Sequence, residues 1–197
     1  MKSRKYMRKS YLLVAAAGWF TLAAGAQIPQ IVVTNVPPTE LQAFEDRTGT
    51  VIVAGAGQVG AVAVGDLNLA VVCKESMDVS GGPRQYGLAI EITDGSQRLT
   101  KLVVDYDELD SLQSALSYLG KLDYNVTTLP TFVASYVSKA GLRVGAYTSQ
   151  KHGAIQYFLQ DYSRPGARIL ISAYQLAQFQ GLIGEARKNL DSMRAAH

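Results

Sequence analysis

Three sets of residues in this sequence could do chemistry. The first is Gly55, Gly57 and Gly60 in "VIVAGAGQVG", a G-x-G-x-x-G spacing after an apolar run, with Glu75 twenty residues beyond the first glycine. In a dinucleotide-binding turn such glycines let the backbone approach a pyrophosphate, a helix N-terminus holds the phosphate, and the acid takes the ribose. The second set is the acidic cluster Asp105, Asp107, Glu108 and Asp110, whose carboxylates could hold a cation or serve a hydrolase. The third is the single thiol, Cys73, with His152 and His197 as the only histidines.

Each reading depends on the element that would carry it. A phosphate turn needs a helix starting at the third glycine, but "QVGAVAVGDLNLAVV" alternates alanine and valine and is interrupted by Gly60 and Gly65. The expectation is instead a meander: a strand near 50–55, a glycine-rich turn through "GAGQVG", a strand near 60–64, a turn at "GDLN" and a strand near 68–75. No cofactor is expected. The acids crowd into what reads as the first turn of a helix, where free amides and the helix dipole favour negative charge. They are therefore expected to cap that helix, with cation binding by Asp105, Asp107, Glu108 and Asp110 as the weaker alternative. Cys73 in "LAVVCKE" reads as a buried strand thiol. Two histidines cannot build a His-rich zinc site, and no H-E-x-x-H, C-x-x-C or G-x-S-x-G occurs. No catalytic residue is assigned.

The N-terminus bears on compartment. Lys2, Arg4, Lys5, Arg8 and Lys9 precede the uncharged stretch "YLLVAAAGWFTLAA" and the small residues Ala24-Gly25-Ala26. A basic region, a short apolar stretch and a small-x-small site are the parts of a cleavable secretory signal. At 1.5 Å per residue, that stretch is too short for a hydrocarbon core of about 30 Å. Residues 1–26 are expected to be removed, leaving an exported chain, periplasmic or extracellular, with no membrane anchor. The chain has 19 Lys+Arg and 16 Asp+Glu; five bases and no acids lie in the first 26 residues, so the remaining 171 carry 14 against 16. The overall pI of about 8.9 is thus mainly a property of the leader. It gives no argument for a nucleic-acid partner.

Further on, "QYGLAIEI", "TDGSQ" and "RLTKLVVDY" form a hairpin pattern. The period then changes: Leu109, Leu112, Ala115, Leu116, Leu119 and Leu122 share one helical face. "TFVASYVSKAGLRVGAYTSQKHGAIQYFLQ" and "ARILIS" read as strands with turns at "KAG" and "SQKHG", and a second helix is expected over about 173–194. A shift of 67 residues places Leu109 on Leu176, Leu112 on Phe179, Leu116 on Ile183 and Leu119 on Ala186. It also brings together two helix-entry signals, Asp105 with Glu108 and Ser172 with Gln175. The chain is therefore expected to be α+β, antiparallel sheet packed against two helices, by tandem duplication of a ββββα unit. The boundaries are a connecting segment at 27–48, a first unit at 49–123 and a second at 124–197, packed as one domain.

The segment "VVDYDELDSLQSALSYLGKLD" resembles one found in uncharacterised exported bacterial proteins, the likeness extending over about residues 85–190. The duplicated four-strands-then-helix arrangement is similar to the Whirly-type single-stranded nucleic-acid-binding fold, whose strands offer a basic, aromatic-studded surface. That second likeness is architectural, and no motif transfers residue by residue. Eleven tyrosines suit half-wet sheet surfaces, and Tyr86, Tyr136, Tyr147 and Tyr157 are the candidates for a partner-facing surface. The expected function is a non-enzymatic binding or scaffold module for a protein or envelope component. A carboxylate- or cation-dependent hydrolase and single-strand nucleic-acid binding are the alternatives.

Overall fold

A computed structural model describes residues 38–149, 154–163 and 168–196. The expected signal segment, most of the connecting segment, the turn at "SQKHG" with His152, and His197 lie outside the described residues.

Strand-forming runs with period-two alternation build two antiparallel meanders. The first contains β1 (Ile52–Val64), β2 (Leu67–Asp78), β3 (Arg84–Asp94) and β4 (Gln97–Asp105), and the second β5 (Val133–Val137), β6 (Leu142–Ser149), β7 (Ala154–Asp161) and β8 (Arg168–Ile171). In each sheet the spatial order follows the chain order. β1 and β2 are joined by the two residues Gly65 and Asp66, with Gly65 at φ +59°, a conformation that costs glycine little.

A helix follows each sheet. A 3-10 turn (Tyr106–Glu108) leads into α2 (Leu109–Leu119), and α3 (Ala173–Ala195) closes the chain. The expected faces are the buried ones: Leu109, Leu112, Leu116 and Leu119 on α2, and Leu176, Phe179, Ile183, Ala186 and Leu190 on α3. Ser172 and Gln175 form the capping box at the α3 entry, with Ser172 Oγ accepting the Gln175 amide at 3.2 Å and Gln175 Oε1 accepting the Ser172 amide at 2.8 Å. Both helices pack into one apolar cluster with the inner faces of the sheets, including Val71, Leu88, Ile90 and Val104 from the first and Val144, Ala146 and Leu159 from the second. The fold is α+β, and its two ββββ units match a tandem duplication.

Two expectations are corrected. The "GAGQVG" stretch is not a turn between strands; it is the middle of one continuous strand. Gly55 pairs with Glu75, Gly57 with Cys73 and Gly60 with Val71, with an irregularity in register at Val59. The glycine at position 60 is explained by α3, because a Cβ there would lie 2.6 Å from Leu182 Cδ2. Bare backbone lets a helix approach closely. No helix starts at Gly60 and β1 runs antiparallel to β2, so the geometry of a dinucleotide turn is not built.

The connecting segment also holds structure. α1 (Glu40–Glu45) packs its buried Leu41 and Phe44 against the outer face of the first sheet, opposite α2 and α3. Thr39 and Gln42 form its capping box, Thr39 Oγ1 accepting the Gln42 amide at 3.1 Å and Gln42 Oε1 accepting the Thr39 amide at 3.0 Å. At its far end Glu45 meets the buried Lys74, with Nζ 2.6 Å from Oε2, and accepts from Ser76 Oγ at 2.7 Å. The sequence does carry a signal for this helix, the T-x-x-Q of "TELQ" with Leu41 and Phe44 three residues apart.

Candidate functional site

Three of the four acids meet at Lys139, whose ammonium lies 3.7 Å from Asp105 and 2.8 Å from Asp107 and whose amide reaches Glu108, while Asp110 pairs with Arg187. Asp105 ends β4 and is 2 % exposed. Its carboxylate accepts from the backbone amides of Glu40 at 2.8 Å and Leu41 at 3.0 Å, the first turn of α1. Asp107 is exposed and pairs with Lys139 Nζ at 2.8 Å. Glu108 is buried; its Oε1 accepts the Lys139 amide at 2.8 Å and its Oε2 the Asp105 amide at 3.4 Å, so the expected capping box forms. Burial pushes the Glu108 carboxyl above its ordinary range, opposed by the two amides it accepts from. Asp110 meets Arg187 of α3 at 3.3 Å.

These acids work as fasteners. Asp105 ties β4 to α1, Glu108 ties the α2 entry to the β5–β6 loop, and Asp110 ties α2 to α3. Among the described residues no group of three or more His, Cys, Asp or Glu side chains is arranged to hold a metal ion. The weaker reading of Asp105, Asp107, Glu108 and Asp110 as one cation site finds no support in this arrangement: Asp105 and Asp107 already flank the Lys139 ammonium at 3.7 and 2.8 Å, Glu108 accepts the Lys139 amide, and Asp110 turns away to Arg187.

A cleft of about 130 Å³ opens beside this junction, lined in part by Arg84, Tyr86, Tyr106, Asp107 and Arg194. Its charges are engaged within the chain. Arg84 pairs with Glu75 at 2.5 Å, and Tyr86 donates to the same carboxylate oxygen at 3.2 Å. The guanidinium carbons of Arg187 and Arg194 lie 4.1 and 4.0 Å from the Tyr106 ring centroid, and the Tyr106 hydroxyl donates to Asp191. The cleft presents no nucleophile poised beside a base. Cys73 is equally unsuited to that role: its Sγ lies against the Ala186 carbonyl at 3.6 Å, and burial, with Glu185 nearby, pushes its thiol up to about 11.

The partner-facing tyrosines separate by strand parity. Tyr86 and Tyr157 are each only 8 % exposed and belong to the core, which corrects their placement on a partner surface. Tyr157 sits opposite Ala146 and Ile171, on the same side of β7 as Ile155 and Leu159. Tyr136 is half-buried, its hydroxyl 2.9 Å from Ser111 Oγ of α2. Of the four, Tyr147 lies on the outer face of the second sheet, where its hydroxyl donates to Gln156 at 2.7 Å.

That outer face carries residues which the sequence analysis did not single out. Arg143, Gln160 and Arg168 face one another across β6, β7 and β8, and in the next row Gly145, Phe158 and Leu170 do the same. A Cβ at position 145 would lie 2.6 Å from Phe158 Cζ, so glycine lets the ring lie against the sheet. The ring is wholly buried, although it lies outside the apolar cluster that α2 and α3 share with the sheets. The Arg168 and Arg143 guanidinium carbons lie 4.7 and 5.7 Å from its centroid, and the Tyr147 ring centroid is 6.0 Å away at an interplanar angle of 56°. Val133, Val137 and Leu170 are exposed along the rim, Val133 at 61 %. Beneath the arginines, Arg143 Nε and Gln160 Oε1 are buried without a hydrogen-bond partner. The missed signal is "RVGAYTS" and "YFLQ", in which arginine, glycine and phenylalanine occupy outward positions of alternating strands.

Comparison of the chain with known proteins returned no match to a family model, a curated protein or a solved structure.

Proposed function

We propose that the chain is an exported, non-enzymatic binding module that holds an acidic segment of a protein or envelope partner on the outer face of its second sheet. One observation supports this most directly: Arg143 and Arg168 lie near the buried Phe158 ring with an exposed apolar rim beside them. A guanidinium stacked on a ring loses less freedom when it forms a two-pronged bond to a carboxylate, and its planar fork matches that anion better than an ammonium would. Where the cation stays solvated, as at the exposed Arg168, a cation–π contact contributes about 0.5–1 kcal/mol. Val133, Val137 and Leu170 supply the apolar contact that charge alone lacks.

The test is to titrate the protein with a fluorescent poly-glutamate peptide, and in parallel with a single-stranded oligothymidylate of matched charge. Peptide binding should weaken about tenfold in an Arg143→Ala, Arg168→Ala double variant, equivalent to about 1.4 kcal/mol. Peptide binding that is equal in parent and double variant would refute the proposal. Tighter, Arg-dependent binding of the oligonucleotide would replace it with single-strand recognition.

A further inference from the structure

The four sheet edges are protected unequally. β4 carries Arg98 and Lys101, β5 has five residues, and β8 has four and includes Arg168. β1 has thirteen residues, and the sequence from Thr48 to Gly65 holds no charge and no proline. Edges of this kind are the ones that proteins ordinarily shorten, charge or cover, because unpaired N–H and C=O groups template another strand. Among the described residues no strand pairs with the outer edge of β1. The side chains at 53–58 are exposed.

The backbone bonds show which groups are available. Val79 donates to the Val51 carbonyl at 3.1 Å, so Val51 faces β2 and by alternation so do Val53, Gly55 and Gly57. Ile52, Ala54, Ala56 and Gln58 therefore direct both N–H and C=O outward. Beyond them the register irregularity at Val59 and the bond from Gln175 Nε2 to the Ala63 carbonyl, at 2.7 Å, interrupt the edge. The open stretch is residues 52–58.

We propose that this stretch pairs with its own copy in a second chain, antiparallel about a two-fold axis at Gly55. Strands joined in this register place Ala54 opposite Ala56 and Ile52 opposite Gln58, so every outward N–H and C=O meets its complement, about eight hydrogen bonds in all. Self-complementarity and charge both favour a second copy as the occupant. The sequence Ala54-Gly55-Ala56 reads the same in both directions, and two copies of an uncharged edge bring no like charges together. The small side chains about the axis leave no bulk to hold the strands apart. The two first sheets would then form one continuous eight-stranded sheet.

Sedimentation equilibrium on the full chain tests this. The parent should approach twice 21.2 kDa with rising concentration, and Ala56→Pro, which removes one outward N–H and none that β2 uses, should remain at one chain with an unchanged circular dichroism spectrum. Cysteine placement reports the register. Gly55→Cys lies on the axis, where facing residues have Cα atoms about 4.5 Å apart, so mild oxidation should give a covalent dimer. Val53→Cys, with its copy about four residues away along the strands, should not, nor should the parent with its buried Cys73. A parent that stays monomeric at high concentration, or equal cross-linking at positions 53 and 55, overturns the proposal. If Ala56→Pro does not fold, the two cysteine variants decide it.

Discussion

Replacing Asp105 with alanine probes the junction on which the first sheet and α1 depend. The substitution removes both oxygens that accept from Glu40 and Leu41 and leaves two amides near a buried position without partners. Hydrogen bonds to a charged group contribute about 1.5–3 kcal/mol each, which sets an upper figure near 6 kcal/mol. The helix has a second way to respond. α1 can detach, rehydrating those amides at the cost of exposing Leu41 and Phe44, about 1.5–3 kcal/mol for each side chain. With Thr39 still capping the Gln42 amide, a loss of about 3 kcal/mol is expected. Urea unfolding followed by circular dichroism measures it, and hydrogen exchange at the Leu41 amide shows whether α1 has come loose. The matched variants Asp107→Ala and Asp110→Ala remove exposed partners of Lys139 and Arg187 and should each cost less than about 1 kcal/mol. Equal losses across the three, or a loss at Asp105 within about 0.5 kcal/mol, would refute the fastener account. A calcium-induced thermal shift abolished by Asp107→Asn with Glu108→Gln would restore the cation site in its place.

Two further outcomes are expected. Gly145→Ala should destabilise the chain by about 2–3 kcal/mol in urea unfolding, since its Cβ would meet Phe158 Cζ at 2.6 Å and the Ala134 carbonyl at 2.7 Å, whereas Gly57→Ala, with no atom within 4 Å, should change stability by less than about 0.5 kcal/mol; equal effects would contradict the packing. Stability should also depend on pH through two carboxylates of opposite sign. Burial raises the Glu45 carboxyl, but bonds from Lys74 and Ser76 outweigh it and hold it below the ordinary 4.5, so its contribution is present above that value and lost as pH falls through the lower folded one. Glu108 is held above 4.5 chiefly by burial, so stability declines as pH rises from there through its folded value. Unfolding free energies from pH 3 to 7 should accordingly flatten at the acid end in Glu45→Gln and lose their upper decline in Glu108→Gln; parent-like profiles in both would count against these environments.

Local physics made much of the architecture legible before any contact was known. Alternating β-branched residues, the Gly65-Asp66 turn, the apolar stripes of α2 and α3 and the Ser172–Gln175 box each depend on neighbours within a few positions, so the order of strands and helices could be read along the chain. The capping role of Glu108 was legible for the same reason. The α1 box at Thr39 and Gln42 was local too, but its signal spans only six helical residues.

Tertiary structure decided whatever depended on a distant partner. Glycine permits both a turn and a straight strand; the ladder to β2 holds "GAGQVG" straight, and α3, more than a hundred residues later, lies over Gly60. Asp105 carries the letters of a cap for its own helix, yet its shortest bonds run to amides 65 residues upstream. Tyr147 and Tyr157 look alike in sequence, but strand pairing sends one outward and the other into the core. Phe158 reads as a core residue, and it is buried, but on the opposite face of its sheet, beneath two arginines whose positions only the register of β6, β7 and β8 brings together.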